Sequence, residues 1–203
     1  FGSEQNLLSP RYLGFITNSL TLAGVAAVIT VIGATLLGTL NRVTHSRFAA
    51  ISLYFGRIGY AVPGGVIAVG LIVPFALFDN ALDAWMRETF DISTGLLLTG
   101  SIWLLIAAYM IRFLAAAIGA YEGGAASVGT NIDAAARTLG ADLPGLIRRV
   151  HMPLMRTSLL TAGLIVFVDV MKELPATLIM RPFNYDTLAV QAHRLASDER
   201  LSG

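Results

Sequence analysis

Cysteine is absent from the 203 residues, which excludes disulfides and thiolate metal sites and leaves the redox compartment open. Lysine occurs once, at Lys172, and no G-x-x-x-x-G-K-[ST] stretch is present, so the chain has no phosphate loop of the Walker kind. The three histidines, His45, His151 and His193, lie far apart and offer no metal-ligand spacing. Charge of either sign is scarce: 13% of residues are Asp, Glu, Lys or Arg, and the formal net charge is +1. There is no initiator methionine and no basic, apolar, small-residue pattern of a signal peptide before "FGSEQNLL". The chain therefore reads as an internal piece of a longer one.

What fills the sequence instead is apolar: 55% hydrophobic residues and a mean hydropathy of +0.69. That exceeds what a soluble core and its wetted surface require, which makes the lipid bilayer the expected solvent. Residues 14 to 41 carry no charge, and a helix of that length reaches roughly 40 Å, more than the hydrocarbon core of about 30 Å. A second uncharged segment, 58 to 78, is interrupted by Pro63, Gly64, Gly65 and Pro74. It reads either as a kinked span or as a lining element of a pathway, because broken backbone at membrane depth survives only against protein or water. The apolar run from Phe48 either begins this helix or forms a surface helix before it. A third span is expected over 92 to 117, with Arg112 late enough to snorkel toward an interface. A fourth begins near Thr157, and its uncharged part stops at Val168, too short to cross. Gly, Ala, Ser and Thr on these segments suit close helix packing in lipid. The fold class expected is all-α: a single transmembrane domain over 1–203, about four spans in a polytopic bundle.

Direction follows from the arginines, which make up thirteen of the fourteen basic residues. Arg42 and Arg47 lie between the first two spans, and Arg137, Arg148, Arg149 and Arg156 between the third and fourth. The intervening segment, "DNALDAWMRETFDIST", has one arginine and four acids. Short loops rich in Arg stay in the cytoplasm, so residues 130–153 are placed there. Within them Thr130 and Asp133 have capping-box spacing, Gly140 falls where a C′ glycine ends a helix, and Asp142 precedes Pro144 as a cap for a second helix. The insert reads as helix, glycine turn, helix. Leu143, Leu146, Ile147 and Val150 recur at i, i+3, i+4 and i+7 as one apolar stripe, which requires a surface to sit on. Three uses remain open at this point: a helix pair lying on the membrane interface, a helix-turn-helix that reads DNA, and a protein-docking element. The DNA reading lacks a third helix and a phosphate footprint, so nucleic acid is not an expected partner.

"AARTLGADLPGLIRRVHMP" resembles the EAA motif of permease subunits of ABC importers, which runs E-A-A, three residues, G, nine residues, I-x-L-P. Ala135, Ala136, Gly140, Val150 and Pro153 match it in register. The motif's glutamate falls at Ala134, and the acid stands one place earlier at Asp133, about 100° away around a helix. "VDVMKELPATLIMRPFNYDTLAVQAHRLASDERL", residues 168 to 201, and "YAVPGGVIAVGL" are similar to ferric-iron import permeases, and the chain resembles most of a C-terminal half, which implies flanking helices beyond both ends.

The resemblance implies an inner-membrane permease without a cofactor or its own ATPase. Its implied partners, besides the bilayer, are a cytoplasmic ABC ATPase, an extracytoplasmic substrate-binding protein and a second permease half. Asp133, Ala134, Ala135, Ala136, Gly140, Leu143, Leu146, Ile147, Val150 and Pro153 would then couple to the ATPase. Asp169, Lys172 and Glu173, at i, i+3 and i+4, share a face if their helix continues that far. With Asp186 they are candidates for a pathway or gate, the alternative being a self-neutralising ion pair. Fe(III), a hard ion, favours carboxylate and phenolate oxygens such as those of Asp186 and Tyr185, but no confident metal site is visible. Permeases for thiamine, polyamines, phosphonates or sulfate share the architecture. A membrane-anchored scaffold or regulator with a helix-turn-helix, and a secondary transporter driven by an ion gradient, remain the rival classes.

Overall fold

A computed structural model describes residues 10–44 and 46–201; the opening "FGSEQNLLS" and His45 lie outside them. The uncharged stretch near the N-terminus forms one continuous helix, α1 (Pro10–Thr44). The run from Phe48 is a separate helix, α2 (Arg47–Ile58), started by Ser46, whose side chain accepts from the Ala49 N–H. A 3₁₀ turn at Gly59–Ala61 follows it. Next come α3 (Gly64–Phe90) and α4 (Ile102–Ala126). The polar insert holds α5 (Thr130–Thr138), α6 (Leu143–Leu146), a π-helical turn at Ile147–His151 and α7 (Met152–Leu154). Last are α8 (Arg156–Met171), the short α9 (Pro175–Met180) and α10 (Leu188–Leu201). No strand occurs among the described residues.

Three helices, α1, α3 and α4, are long and apolar enough to cross a membrane, and the stretch from α6 to α8 makes a fourth only if its 86° bend belongs to one span. The second and third spans sit about ten residues later than their hydropathy predicts. Pro63 and Gly64 start α3 rather than interrupting it, Pro74 lies inside a continuous helix, and residues 79 to 90 are helical rather than loop. The reason lies in two acids on the last turns of α3. Asp83 accepts from the backbone N–H groups of Thr94 and Gly95 at 2.7 and 2.8 Å, and Asp79 from those of Leu98 and Thr99 at 3.1 and 2.7 Å. These carboxylates supply the partners that a non-helical 91–101 segment needs, and Gly95 and Gly100 supply its positive φ angles.

By internal contacts the chain divides into two compact units, one of Phe1–Gly24, Pro63–Tyr109 and Val170–Gly203, the other of Val25–Val62 and Met110–Asp169. In the first, α9 packs on α3. The 185–188 segment is clipped to the start of α1: the Asn18 side chain donates to the Asp186 carbonyl at 3.1 Å, Tyr185 Oη donates to the Asn18 carbonyl at 3.1 Å, and the Leu188 N–H donates to Ser19 Oγ at 2.8 Å. In the second unit small residues set the packing distance. A Cβ on Gly38 would fall 2.3 Å from the Tyr121 ring, one on Gly56 2.9 Å from Leu114, and one on Gly59 2.0 Å from the carbonyl oxygen of Ile111. The Arg112 guanidinium donates to the Val62 carbonyl at 2.7 Å, beside that close approach.

The contact at Gly59 is backbone on backbone, so neither side can yield by a rotamer change. Gly59→Ala should cost about 3 kcal/mol, the upper part of the overpacking range, and lower the melting temperature of the detergent-solubilised protein. Gly119→Ala, where a Cβ meets nothing within 4 Å, should leave it unchanged or raise it.

Candidate functional site at the polar insert

The insert folds as a helix pair around Gly140, whose φ of +86° is a left-handed conformation. Asp142 caps α6, accepting from the Gly145 N–H at 2.9 Å. The first helix departs from its expected start: Gly129 is its N-cap, with no side-chain capping bond, and Asp133 is not used as a capping-box acid. Asp133 turns inward, 7% exposed, where Arg42 Nε donates to its Oδ2 at 2.6 Å and His151 Nε2 lies 2.9 Å from its Oδ1.

This pair is the centre of a buried network. His151 is fully buried, and its Nδ1 lies 3.0 Å from Thr39 Oγ1, which lies 2.9 Å from Tyr121 Oη. A carboxylate only accepts, so the ring proton on the Asp133 side belongs to Nε2. In the neutral ring Nδ1 then accepts from Thr39, and Tyr121 donates to Thr39. The remaining guanidinium donors of Arg42 close the end of α4, reaching the carbonyls of Ala125, at 2.5 Å, and Val128. A cation there also suits the negative end of the helix dipole. Tyr121, Ala125, Val128 and Met155, with Leu159 against them, form the apolar floor. Burial alone would raise the Asp133 pKa, but the hydrogen bonds and charges of His151 and Arg42 outweigh it and hold it below the usual carboxylate range.

The second helix of the pair is not one regular helix. At Ile147–His151 the backbone closes i→i+5 bonds, the Met152 N–H reaching the Ile147 carbonyl. Such a turn aligns residues five apart, so Leu146, 1% exposed, and His151 both face inward. The stripe expected at helical spacing is therefore split: Leu146 is buried, while Leu143, Ile147 and Val150 are half-buried. The apolar face turned outward belongs to α5 instead. Ile132, Ala135 and Leu139 are exposed, Leu139 at 88%, and Ala136 is half-buried. Ile132 and Leu139 are absent from the coupling residues picked out by the motif, although 132, 135, 136 and 139 have i, i+3, i+4, i+7 spacing. Ala134, Gly140 and Pro153 are exposed.

The other candidate residues follow the insert in the chain. Helix α8 ends at Met171, so no continuous helix carries Asp169, Lys172 and Glu173 on one face. Asp169 is half-buried, Lys172 exposed and Glu173 buried. The Glu173 carboxylate accepts from the Ala176 N–H at 3.4 Å in the first turn of α9. Asp186 is held between Arg181 and Arg194, the latter at 2.8 Å, on the wall of a pocket of about 510 Å³. Among the described residues no three His, Asp or Glu side chains converge as a metal site would need.

Removing one partner of the buried pair strands the other charge. Asp133→Asn should destabilise the protein by on the order of 3 kcal/mol, and Arg42→Met/Asp133→Leu should melt closer to wild type than either single change. Because the folded pKa of Asp133 is depressed, its contribution is present above the unfolded value of about 4 and is lost as pH falls through the lower folded value. Asp133→Asn should abolish that acid-limb dependence in a melting series.

No family model matches the sequence. Among curated proteins, the chain is 25% identical over 191 residues to the Fe(3+)-transport system permease protein FbpB 2 of Haemophilus influenzae, an alignment that takes in 93% of this chain and 34% of that protein. The chain thus spans about a third of that relative's length. With its apolar helices, the chain is a multi-pass, all-α inner-membrane protein, similar along nearly its whole length to a ferric-iron transport permease.

Proposed function

We propose that the chain is part of the permease of an ATP-driven importer, with ferric iron as cargo, and that residues 130–153 pass the work of a cytoplasmic ATPase to the membrane helices by alternating access. The observation that carries this reading is the pairing of an exposed apolar stripe with a buried anchor on the same short helix. Ile132, Ala135 and Leu139 are available to a partner, while Asp133 ties α5 to Arg42 on α1 and to His151. A push on the stripe therefore moves the ends of two membrane helices. The iron-transport relative and the ferric-permease phrase at 168–201 support the cargo. An extracytoplasmic binding protein and a second permease half complete the assembly. Asp186, already neutralised by two guanidinium groups, serves in this reading as a latch of the 181–188 segment rather than as an iron ligand.

Leu139→Asp puts a charge in the docking stripe without touching the core. ATP-dependent uptake of radiolabelled ferric iron in proteoliposomes of the full transporter should fall at least tenfold, with melting temperature unchanged. Gly140→Val, which forces a β-branched residue to positive φ at a cost of about 1 to 2 kcal/mol, should uncouple ATP hydrolysis from uptake. Wild-type uptake in the Leu139 variant would remove α5 from the coupling path. Uptake that survives ATP depletion and follows an ion gradient would favour a secondary transporter, and salt-dependent DNA binding by the insert a regulator. Uptake of sulfate or thiamine in place of iron would reassign the cargo alone.

A further inference from the structure

A groove of about 640 Å³ opens where the insert bends into α8. Its wall is apolar: Ile32 and Leu36 on α1, Met152 on α7 and Leu160 on α8, all exposed. The polar side chain of Thr35 on the same wall is satisfied internally, donating to the Val31 carbonyl at 2.7 Å. Two guanidinium groups border this surface. Arg148 precedes the 86° bend and Arg156 follows it, and both line the one groove. Both are exposed, and neither has an ion-pair partner among the described residues.

An apolar trough bordered by two arginines without an ion-pair partner among the described residues matches a ligand with an anionic head and a hydrocarbon tail. A free anion leaves the apolar wall unused, and an apolar helix leaves two guanidinium groups facing hydrocarbon without a counter-charge. The arginines belong to the loop that positive charge assigns to the cytoplasmic side, where anionic lipids give the leaflet a negative surface and basic pockets between helices bind their head groups. We propose that this groove is a binding site for an anionic phospholipid, its phosphate on Arg148 and Arg156 and an acyl chain along Ile32, Leu36 and Leu160. The site depends on the chain lying in a membrane and is independent of cargo and of the ATPase.

Native mass spectrometry of the full protein, delipidated and titrated with phosphatidylglycerol or phosphatidylethanolamine, tests it. Phosphatidylglycerol should be retained at least fivefold more than phosphatidylethanolamine; Arg148→Gln/Arg156→Gln should erase the difference and the double lysine variant should restore it. Arg149→Gln, an exposed arginine outside this groove, should leave it intact. A photo-crosslinker at Leu160 should label lipid. Equal retention of the two lipids, no change in the double glutamine variant, competition by millimolar inorganic phosphate alone, or crosslinking of Leu160 to another protein segment would each overturn the proposal.

Discussion

The Arg42–Asp133 pair, with His151 completing it, is the constraint on which the second unit depends. Taking a carboxylate and a guanidinium out of water costs several kcal/mol for each ion, and their attraction repays it only when the remaining donors and acceptors are also matched. Here they are matched: Asp133 has donors on both oxygens, the other nitrogens of Arg42 reach the carbonyls that end α4, and the second nitrogen of His151 is met by Thr39. The arrangement is demanding in geometry rather than generous in energy. It permits one register of α5 against the ends of α1 and α4, because a shift of one residue would bury an alanine where the carboxylate must be.

That register explains the displaced acid of the motif. On α5 a step of one residue turns about 100°, so an acid at 133 and an acid at 134 cannot do the same work. Asp133 faces the protein and is consumed by the network, whereas Ala134, which takes the motif's glutamate position, faces outward with Ala135. Asp133 is an internal anchor, and at the motif's glutamate position the chain presents an exposed alanine. Under the proposed docking, a partner of α5 meets an apolar surface of Ile132, Ala135 and Leu139, so that part of the contact rests on shape and apolar area.

The parts of this architecture legible in the sequence are those set by local chemistry. Hydropathy over an uncharged stretch places α1, the glycine at 140 places the turn, and Asp142 before Pro144 places the start of α6. What escaped depends on partners distant in sequence. Asp79 and Asp83 look like loop acids until the amides of 94–99 are seen to need them, which is why α3 runs on to Phe90 and α4 begins late. Arg42 looks like a topology charge until it is found closing α4. The π-helical turn has no local signature; it follows from the gain in turning His151 and Leu146 to the same side, and it splits a stripe that helical spacing alone makes continuous.

The same distinction bears on the acids beyond α8. At i, i+3 and i+4, Asp169, Lys172 and Glu173 look like one charged face, but that depends on helical backbone through 173. Pro175 cannot supply an N–H within a helix but is tolerated in a first turn; α8 stops at Met171 and a new helix starts at the proline. Glu173 then spends a carboxylate oxygen on the Ala176 amide of that first turn. Asp186 is likewise committed, to two arginines. A hard trivalent ion needs several oxygen ligands free to converge, and each of these acids would have to give up a bond or a counter-charge to become one. In this unit Glu173 holds the backbone at the start of a helix and Asp186 is bridged by two guanidinium groups, so both acids serve the fold rather than a preformed cage of oxygen ligands.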